Sequence, residues 1–565
     1  MKPHTVKPKG KKAESSRHFN IEKVNIKGFG AFCGNNTPLI ITVSIMLFFT
    51  YGIKLFWYSI GIDTELFMAD TSGSLKWSLQ IGRFGYVLLS KLLYTKGFNP
   101  FTAVFVTFCF IWFFTISWCY IIAVFSGDTG RNNRLIPFAL VLMTAPVWAE
   151  QFYFLHQAVE NAFIISLCPY VIYLLYRGFL NSEKGKIVSA FILLVFMVSV
   201  YQAIVPMFCC GIFICFLLLQ EYSDYKGHSY RNLCLKLFIL LVGSLALYFI
   251  IARIIIPGFF HIEKADYLDN MNKWGKLSIK ENIGKILLFG YTITIGHIPQ
   301  VQSIANPIIA RYAPRGMQSA EDAAGLSKIT GNILLLPAAL FFLIGIISFV
   351  RRKLPPGRRL LYALAGVGIP FCIIFLAVIG GSRPPIRSLY SLPLAFAFML
   401  FFLTKTYKRK AAVFVVCLSL LMAAYQAVIT AQLFYSDQVR YNEDVRFANE
   451  LDKLIIQTQP NGENLPVALI GKYEAAPRFH ANFLQGQVIG HSFFEWDNTP
   501  ASTTCRGLAF MKSLGMYFDT ANGNQLEQAL KEAALMPAYP DPGCVKRMRG
   551  FIIVRISETL YDKAF

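Results

Sequence analysis

Acidic residues gather at one place in a largely apolar chain: Gly61-Ile62-Asp63-Thr64-Glu65, followed by Asp70. A carboxylate within hydrogen-bond reach of a sugar hydroxyl can take its proton. A solvated surface loop is the plainer reading of the same residues. Gly82-Arg83 comes next, and Arg383 and Arg387 stand in Gly381-Ser382-Arg383-Pro384-Pro385-Ile386-Arg387. A guanidinium suits phosphate because its fork offers several donors to the oxygens. An arginine snorkelling toward ordinary headgroups would sit at the same depth. A third set holds Glu150, Gln151, His156, Gln157, Glu160 and Asn161, with Tyr201 and Gln202 at the following turn. Ionisable groups close to a membrane interior face a cavity or a partner, so these residues line a polar sugar pocket or cap helices.

Several chemistries find no footing. The chain has no HExxH, no paired CxxC and no Walker-type glycine loop, so neither a metal nor a nucleotide has its usual ligands. No cofactor is expected, and the sugar donor should be lipid-linked. His480, His491, Glu495 and Asp497 near the C-terminus are too scattered to form a catalytic set. That region is expected to bind acceptor or to support the active site.

The elements that must position these residues are membrane helices. Of 565 residues, 55% are hydrophobic and only 15% charged, against about 25% charged in an ordinary soluble domain. A bilayer core is crossed by about 20 apolar residues of helix. Apolar runs occur at 39–58, 101–125, 135–154, 162–176, 187–205, 207–219, 235–256, 333–350, 360–379, 392–403 and 411–434. They predict about eleven spans, the run at 207–219 being the weakest. The net charge is +22. Its basic residues cluster at the ends of apolar runs, so the charge points to topology rather than to nucleic acid. Residues 1–36 read as a basic cytoplasmic tail without a signal peptide. Arg131 and Arg134, Arg177 and Lys184, Arg351 and Arg358, and Lys405 and Lys408 then fall in cytoplasmic loops. The turns near 150–161 and 201–206 contain no Lys or Arg, as the positive-inside rule requires of the outer side.

An odd number of spans places 436–565 outside. Residues 37–435 form the membrane domain, with long outer loops at 59–100 and 257–332. Within 59–100, the stretch 84–93 reads as a helix lying in the interface. Lysines of the loop at 257–332, Lys264 among them, would close over a lipid phosphate or bind headgroups. In the C-terminal region 439–456 and 525–534 pattern as helices, and 467–470, 487–489 and 551–556 as strands, giving a small α/β domain. Its two cysteines, Cys505 and Cys544, are expected to form a disulfide in an oxidising compartment.

With these residues in view, the chain resembles the serotype-converting O-antigen glucosyltransferases of Gram-negative bacteria and their phages. The resemblance is carried by Ile62-Asp63-Thr64-Glu65, Gly82-Arg83, the Ser382–Arg387 turn and Met536-Pro537-Ala538-Tyr539-Pro540-Asp541-Pro542-Gly543. It implies an all-α polytopic enzyme of the GT-C type in the bacterial inner membrane, N-terminus cytoplasmic and C-terminal domain periplasmic. Such an enzyme moves a hexose, commonly glucose, from undecaprenyl phosphate to lipid-linked O-antigen or another surface glycan. It works with a donor-synthesising glycosyltransferase and a flippase. The resemblance maps the catalytic position to Asp63, with Glu65 as the near alternative. Phe84 stands where the family usually has Trp after its Gly-Arg pair. A flippase or transporter, or a non-catalytic assembly protein, is the competing reading. A transporter would favour mid-membrane charges and internal repeats.

Overall fold

The computed structural model describes residues 24–95, 97–222, 230–263, 265, 271–294, 298–299, 326–327, 334–351, 356–407, 409–459, 463–473, 484, 486–558 and 561. Most of the basic tail, Lys264, Lys408 and His480 lie outside the described residues, as does much of the loop at 257–332.

Among the described residues, seven helices are long and apolar enough to cross a membrane. They are Thr37–Phe56, Pro100–Phe125, Leu155–Leu180, Ile204–Glu221, Tyr230–Phe260, Pro356–Gly380 and Arg409–Thr458. Phe84–Leu93, Leu335–Val350 and Ser391–Thr406 are shorter apolar helices, and Lys184–Val200 is a further one of 17 residues. Local signals set the starts. Asn99 accepts a hydrogen bond from the Thr102 amide at 3.0 Å and Pro100 opens the next helix, a position where a missing N–H costs nothing.

Pro100–Phe125 and Leu155–Leu180 form the centre, with 78% and 83% of their apolar windows buried. Thr37–Phe56, at 39%, is peripheral. It leaves Ile41, Ile45, Phe48 and Phe49 exposed on one side, as a lipid-facing surface would.

Three expectations are corrected, and the weakest of the expected spans is borne out. The run at 135–154 is not one helix but two, Leu135–Met143 and Val147–Phe152. Pro146, which cannot donate to the ladder, stands at the break. The weak run at 207–219 is a full helix, Ile204–Tyr222, because Pro206 sits in its first turn, where proline is tolerated. The runs at 411–434 and 439–456 belong to a single 50-residue helix, Arg409–Thr458. It contains no Gly or Pro to interrupt it and runs about 75 Å from the membrane domain into the C-terminal region. Finally, 487–489 is no strand.

The C-terminal sheet has three strands. Val467–Ile470 runs parallel to Phe551–Arg555, which pairs antiparallel with Val545–Met548. Side chains alternate across the sheet. Val467, Leu469, Ile552 and Val554 face the main core together with Leu508 and Phe510 of the Pro500–Ser513 helix. Ala468, Ile470, Phe551 and Ile553 pack on Leu526 and Ala529 of the Gly523–Ala533 helix. Both faces are covered, which is why these two strands are buried throughout.

Cys505 and Cys544 are free thiols, contrary to the expected disulfide. Cys505 is exposed on the Pro500–Ser513 helix, whose other face carries the packing residues, while Cys544 is buried beside the sheet.

Candidate functional site

The first long helix ends at Phe56 and hands the chain to a loop that is buried from Ser59 to Ile62. Lys54 ties this end down, its Nζ donating to Ser59 O at 3.1 Å and to Asp437 Oδ2 of the 50-residue helix at 3.2 Å. Gly61 then passes so close to Tyr153 that a Cβ would lie 2.3 Å from the Tyr153 carbonyl oxygen. Asp63 follows with φ 72°, a left-handed conformation uncommon outside glycine. It begins the short Thr64–Ala69 helix without capping it through its side chain, so its carboxylate is left to reach elsewhere.

That carboxylate meets a residue the sequence did not reveal. Arg506, buried on the Pro500–Ser513 helix, donates through one terminal nitrogen to Asp63 Oδ1 at 3.1 Å. Its other terminal nitrogen donates to Glu65, and its Nε to Asp497 Oδ2 at 2.6 Å. The two neighbouring carboxyls diverge. Burial works against ionising Asp63, but Arg506, His156 and Arg387 hold its pKa below the ordinary carboxylate value. Glu65 is fully buried, and burial together with Asp63 outweighs Arg506 and pushes it up to about 7. One acid is thus kept ionised while its neighbour shares a proton near neutrality, an arrangement common at reactive sites. Asp63 also keeps 44% of its side-chain surface exposed, so another molecule can reach it.

Two arginines and a histidine surround Asp63. Arg387, in the Ile386–Ser388 turn after two prolines, lies 4.8 Å from the Phe154 ring centre. His156 stacks on Phe67 at 5.7 Å and its Nδ1 is buried without a partner. Arg83 begins the Phe84–Leu93 helix. The positive φ of Gly82, 81°, makes the tight turn before it. Its guanidinium sits over Tyr201 at 4.6 Å and donates to Gln157 Oε1 at 3.2 Å, while Nε stays unpartnered. Gln202 steadies that turn by donating to Ile81 O at 3.1 Å. Arg383 is half-buried in the Arg387 turn.

Other expected site residues have different duties. Asp70 is exposed and accepts from the Gly73 amide at 2.9 Å, capping the Thr71–Gln80 helix. Glu160 is buried and accepts from Ser90 Oγ at 2.7 Å. Glu150 accepts from the Gln487 amide and, at 3.1 Å, from that of Val488. Those amides, which a strand would have paired, bind this side chain instead. Gln487 Oε1 in turn accepts from the Ile386 amide at 2.9 Å. A loop of the C-terminal region is therefore fastened beside the Arg387 turn. Asp63, Glu65, His156 and Arg387 form one cluster, with Arg83 bordering it through Gln157, the residue after His156.

A family model described as glucosyl transferase GtrII matches residues 52–404. The chain belongs to this glucosyltransferase family. It is therefore a membrane-associated glycosyltransferase, in agreement with the family expected from its motifs. No curated protein matches the chain. The span matched by the GtrII family holds Asp63, Glu65, Arg83, His156 and Arg387, and ends before Asp497 and Arg506.

Among the described residues, no three His, Cys, Asp or Glu side chains are grouped as for a metal ion. A recess of about 590 Å³ is bounded by Gly34, Thr37, Pro38 and Arg131. It lies at the opposite end of the Thr37–Phe56 helix from Asp63 and has no acidic lining, so the chemistry argues for the side-chain cluster around Asp63 instead. One sequence signal for Arg506 existed. It is a charged residue between Thr503 and Phe510 on the packed face of an amphipathic helix, where a lone charge demands a partner.

Proposed function

We propose that this GtrII-family protein is an inverting GT-C enzyme that transfers glucose from undecaprenyl phosphate to lipid-linked O-antigen or another surface glycan. The reaction takes place at the periplasmic face of the inner membrane. The observation that carries this reading is a half-exposed, ionised Asp63 beside Arg387 and His156, with Arg83 bordering them through Gln157, just past the end of a membrane helix. A prenyl-linked phosphate sits at that depth, and its sugar projects into water.

Asp63 accepts the proton of the acceptor hydroxyl. That oxygen forms a bond to the anomeric carbon as the bond from this carbon to the phosphate oxygen breaks. Polyprenyl phosphate leaves, and the single displacement inverts the centre. Arg387 and Arg83, with Arg383 nearby, neutralise charge growing on the phosphate, commonly the largest contribution to such catalysis. A donor-synthesising glycosyltransferase and a flippase must supply the substrate on this side.

Mass spectrometry of lipopolysaccharide from cells with and without the gene tests the reading. A gain of one hexose per repeat is expected, abolished by Asp63→Asn at equal membrane abundance. No mass gain, or full transfer by the Asn variant, would remove this function or this base.

A further inference from the structure

The carboxylate cluster is assembled from two distant parts of the chain. Asp63 and Glu65 lie within the span that the family shares, whereas Arg506 and Asp497 come from the C-terminal domain beyond it. We propose that Arg506 is a positioning residue of glucosyl transfer. It holds Asp63 oriented and charged, so the membrane helices lack a competent base unless the C-terminal domain is docked. The proposal rests on the reading of Asp63 as base.

Three observations carry it. Among the described residues, Arg506 is the only hydrogen-bond donor to the Asp63 carboxylate, and it engages Oδ1 alone. Oδ2 is left for an acceptor hydroxyl. The guanidinium is itself held, since Asp497 binds Nε at 2.6 Å and aims the other two nitrogens at Asp63 and Glu65. A planar fork fixed at one edge transmits orientation as well as charge. The remaining neighbours do not substitute for it. Burial opposes ionisation of Asp63, and without Arg506 only His156 and Arg387 would counter it.

The role predicts more than lost activity. The full-length protein in membrane vesicles is assayed with polyprenyl-phosphate glucose and a lipid-linked acceptor over about pH 3 to 9, a range that reaches the acid limb of a carboxylate base. Arg506→Gln should lower kcat by about 100-fold at neutral pH with donor KM nearly unchanged. Its acid limb should rise by about one pH unit or more, because the base has lost its main counter-charge. Arg506→Lys, which keeps the charge without the fork, should recover part of both. A residue that only stabilised the fold would lower the amount of assembled protein and leave the acid limb in place. If wild type transfers and assembled Arg506→Gln keeps both kcat and pH profile, the proposal fails. If wild type itself transfers no glucose, the functional reading fails instead. Should Arg506→Gln not assemble, Asp497→Asn decides, since it frees Nε and leaves Asp63 and Glu65 intact. It should lower kcat by about tenfold at unchanged donor KM, and an unchanged kcat overturns the proposal.

Discussion

Replacing Gly61 by alanine adds one methyl group two residues before the base. That methyl would stand 2.3 Å from the Tyr153 carbonyl oxygen and 3.0 Å from its ring. The nearest obstacle is backbone at the start of a buried segment, so no side-chain rotation relieves the clash. Restoring ordinary contact requires about 1 Å of movement. Tyr153 is buried against the central helices and belongs to the main core, so the Gly61–Asp63 loop is the part that gives way. Overpacking of this kind costs about 1–3 kcal/mol of stability. A displacement of about 1 Å at the reacting group costs about 100-fold in rate. Gly61→Ala should therefore insert normally, keep its donor KM and lose about 100-fold in kcat. Gly284→Ala is the control, since a Cβ there meets nothing within 4 Å. Vesicle transfer assays on both variants, normalised to protein in the membrane, provide the comparison. Wild-type kcat in Gly61→Ala would show that the loop tolerates movement and that Asp63 is not held to the geometry argued above.

Glu65, raised to about 7 from an ordinary value of 4.5, favours the folded chain only while protonated. Its contribution is complete below the unfolded value and fades as pH rises through about 7, a swing of about 3 kcal/mol. In detergent, Glu65→Gln should accordingly show a smaller fall in melting temperature between pH 5 and pH 8 than wild type, and an equal fall would refute the assignment. Asp63 has the opposite sign, its folded value being depressed, so activity should persist into mild acid and fall only below the ordinary carboxylate range of about 4; a limb near neutrality in wild type would contradict this. Gly486→Ala would drive a Cβ into the Glu150 carboxylate, so limited proteolysis should cut faster near residues 486–489, and unchanged protection would count against the fastening described. Cys505 is an exposed free thiol, and an impermeant maleimide should label it in spheroplasts of a strain lacking Cys109 and Cys417. Failure to label would contradict either the free thiol or the outward domain.

The parts legible in sequence were those with a local cause. The helix at Phe84–Leu93 and the strand at Val467–Ile470 coincide with their apolar patterns. The Gly523–Ala533 helix announces itself through the Asn522/Gln525 capping box. The acidic motif and the arginine turns were visible as charges in apolar surroundings. What escaped was set at long range. Glu150 reads as a pocket residue, but its partners are amides more than 330 positions away. The residues 487–489 look like a strand because Val488 and Ile489 are apolar, yet they serve as buried plugs in the main core. Nothing local marks Arg506 as the partner of Asp63, since 443 positions separate them.

The way the two parts join separates adhesion from chemistry. Burying a guanidinium among carboxylates is weak evidence for stability, because desolvation offsets much of the attraction. The apolar contacts around it are better candidates for holding the domain in place. Phe510 stacks on Phe493 at 4.2 Å and meets Tyr441 of the long helix edge-on at 5.8 Å, and Tyr441 meets Tyr58 at 5.9 Å. Aromatic pairs of this geometry contribute about 0.5–1.5 kcal/mol each beyond area burial. Docking then depends on Phe510 and its neighbours, and Arg506 is free to serve the charge state of Asp63. The division makes opposite demands on two substitutions. Phe510→Ala should loosen the domain, seen as faster proteolysis, and reduce activity as a consequence. Arg506→Met, apolar and of similar length, should keep the domain docked and protease-resistant while transfer is lost. If Arg506→Met releases the domain as readily as Phe510→Ala does, the ion pairs are the adhesive and the separation is wrong.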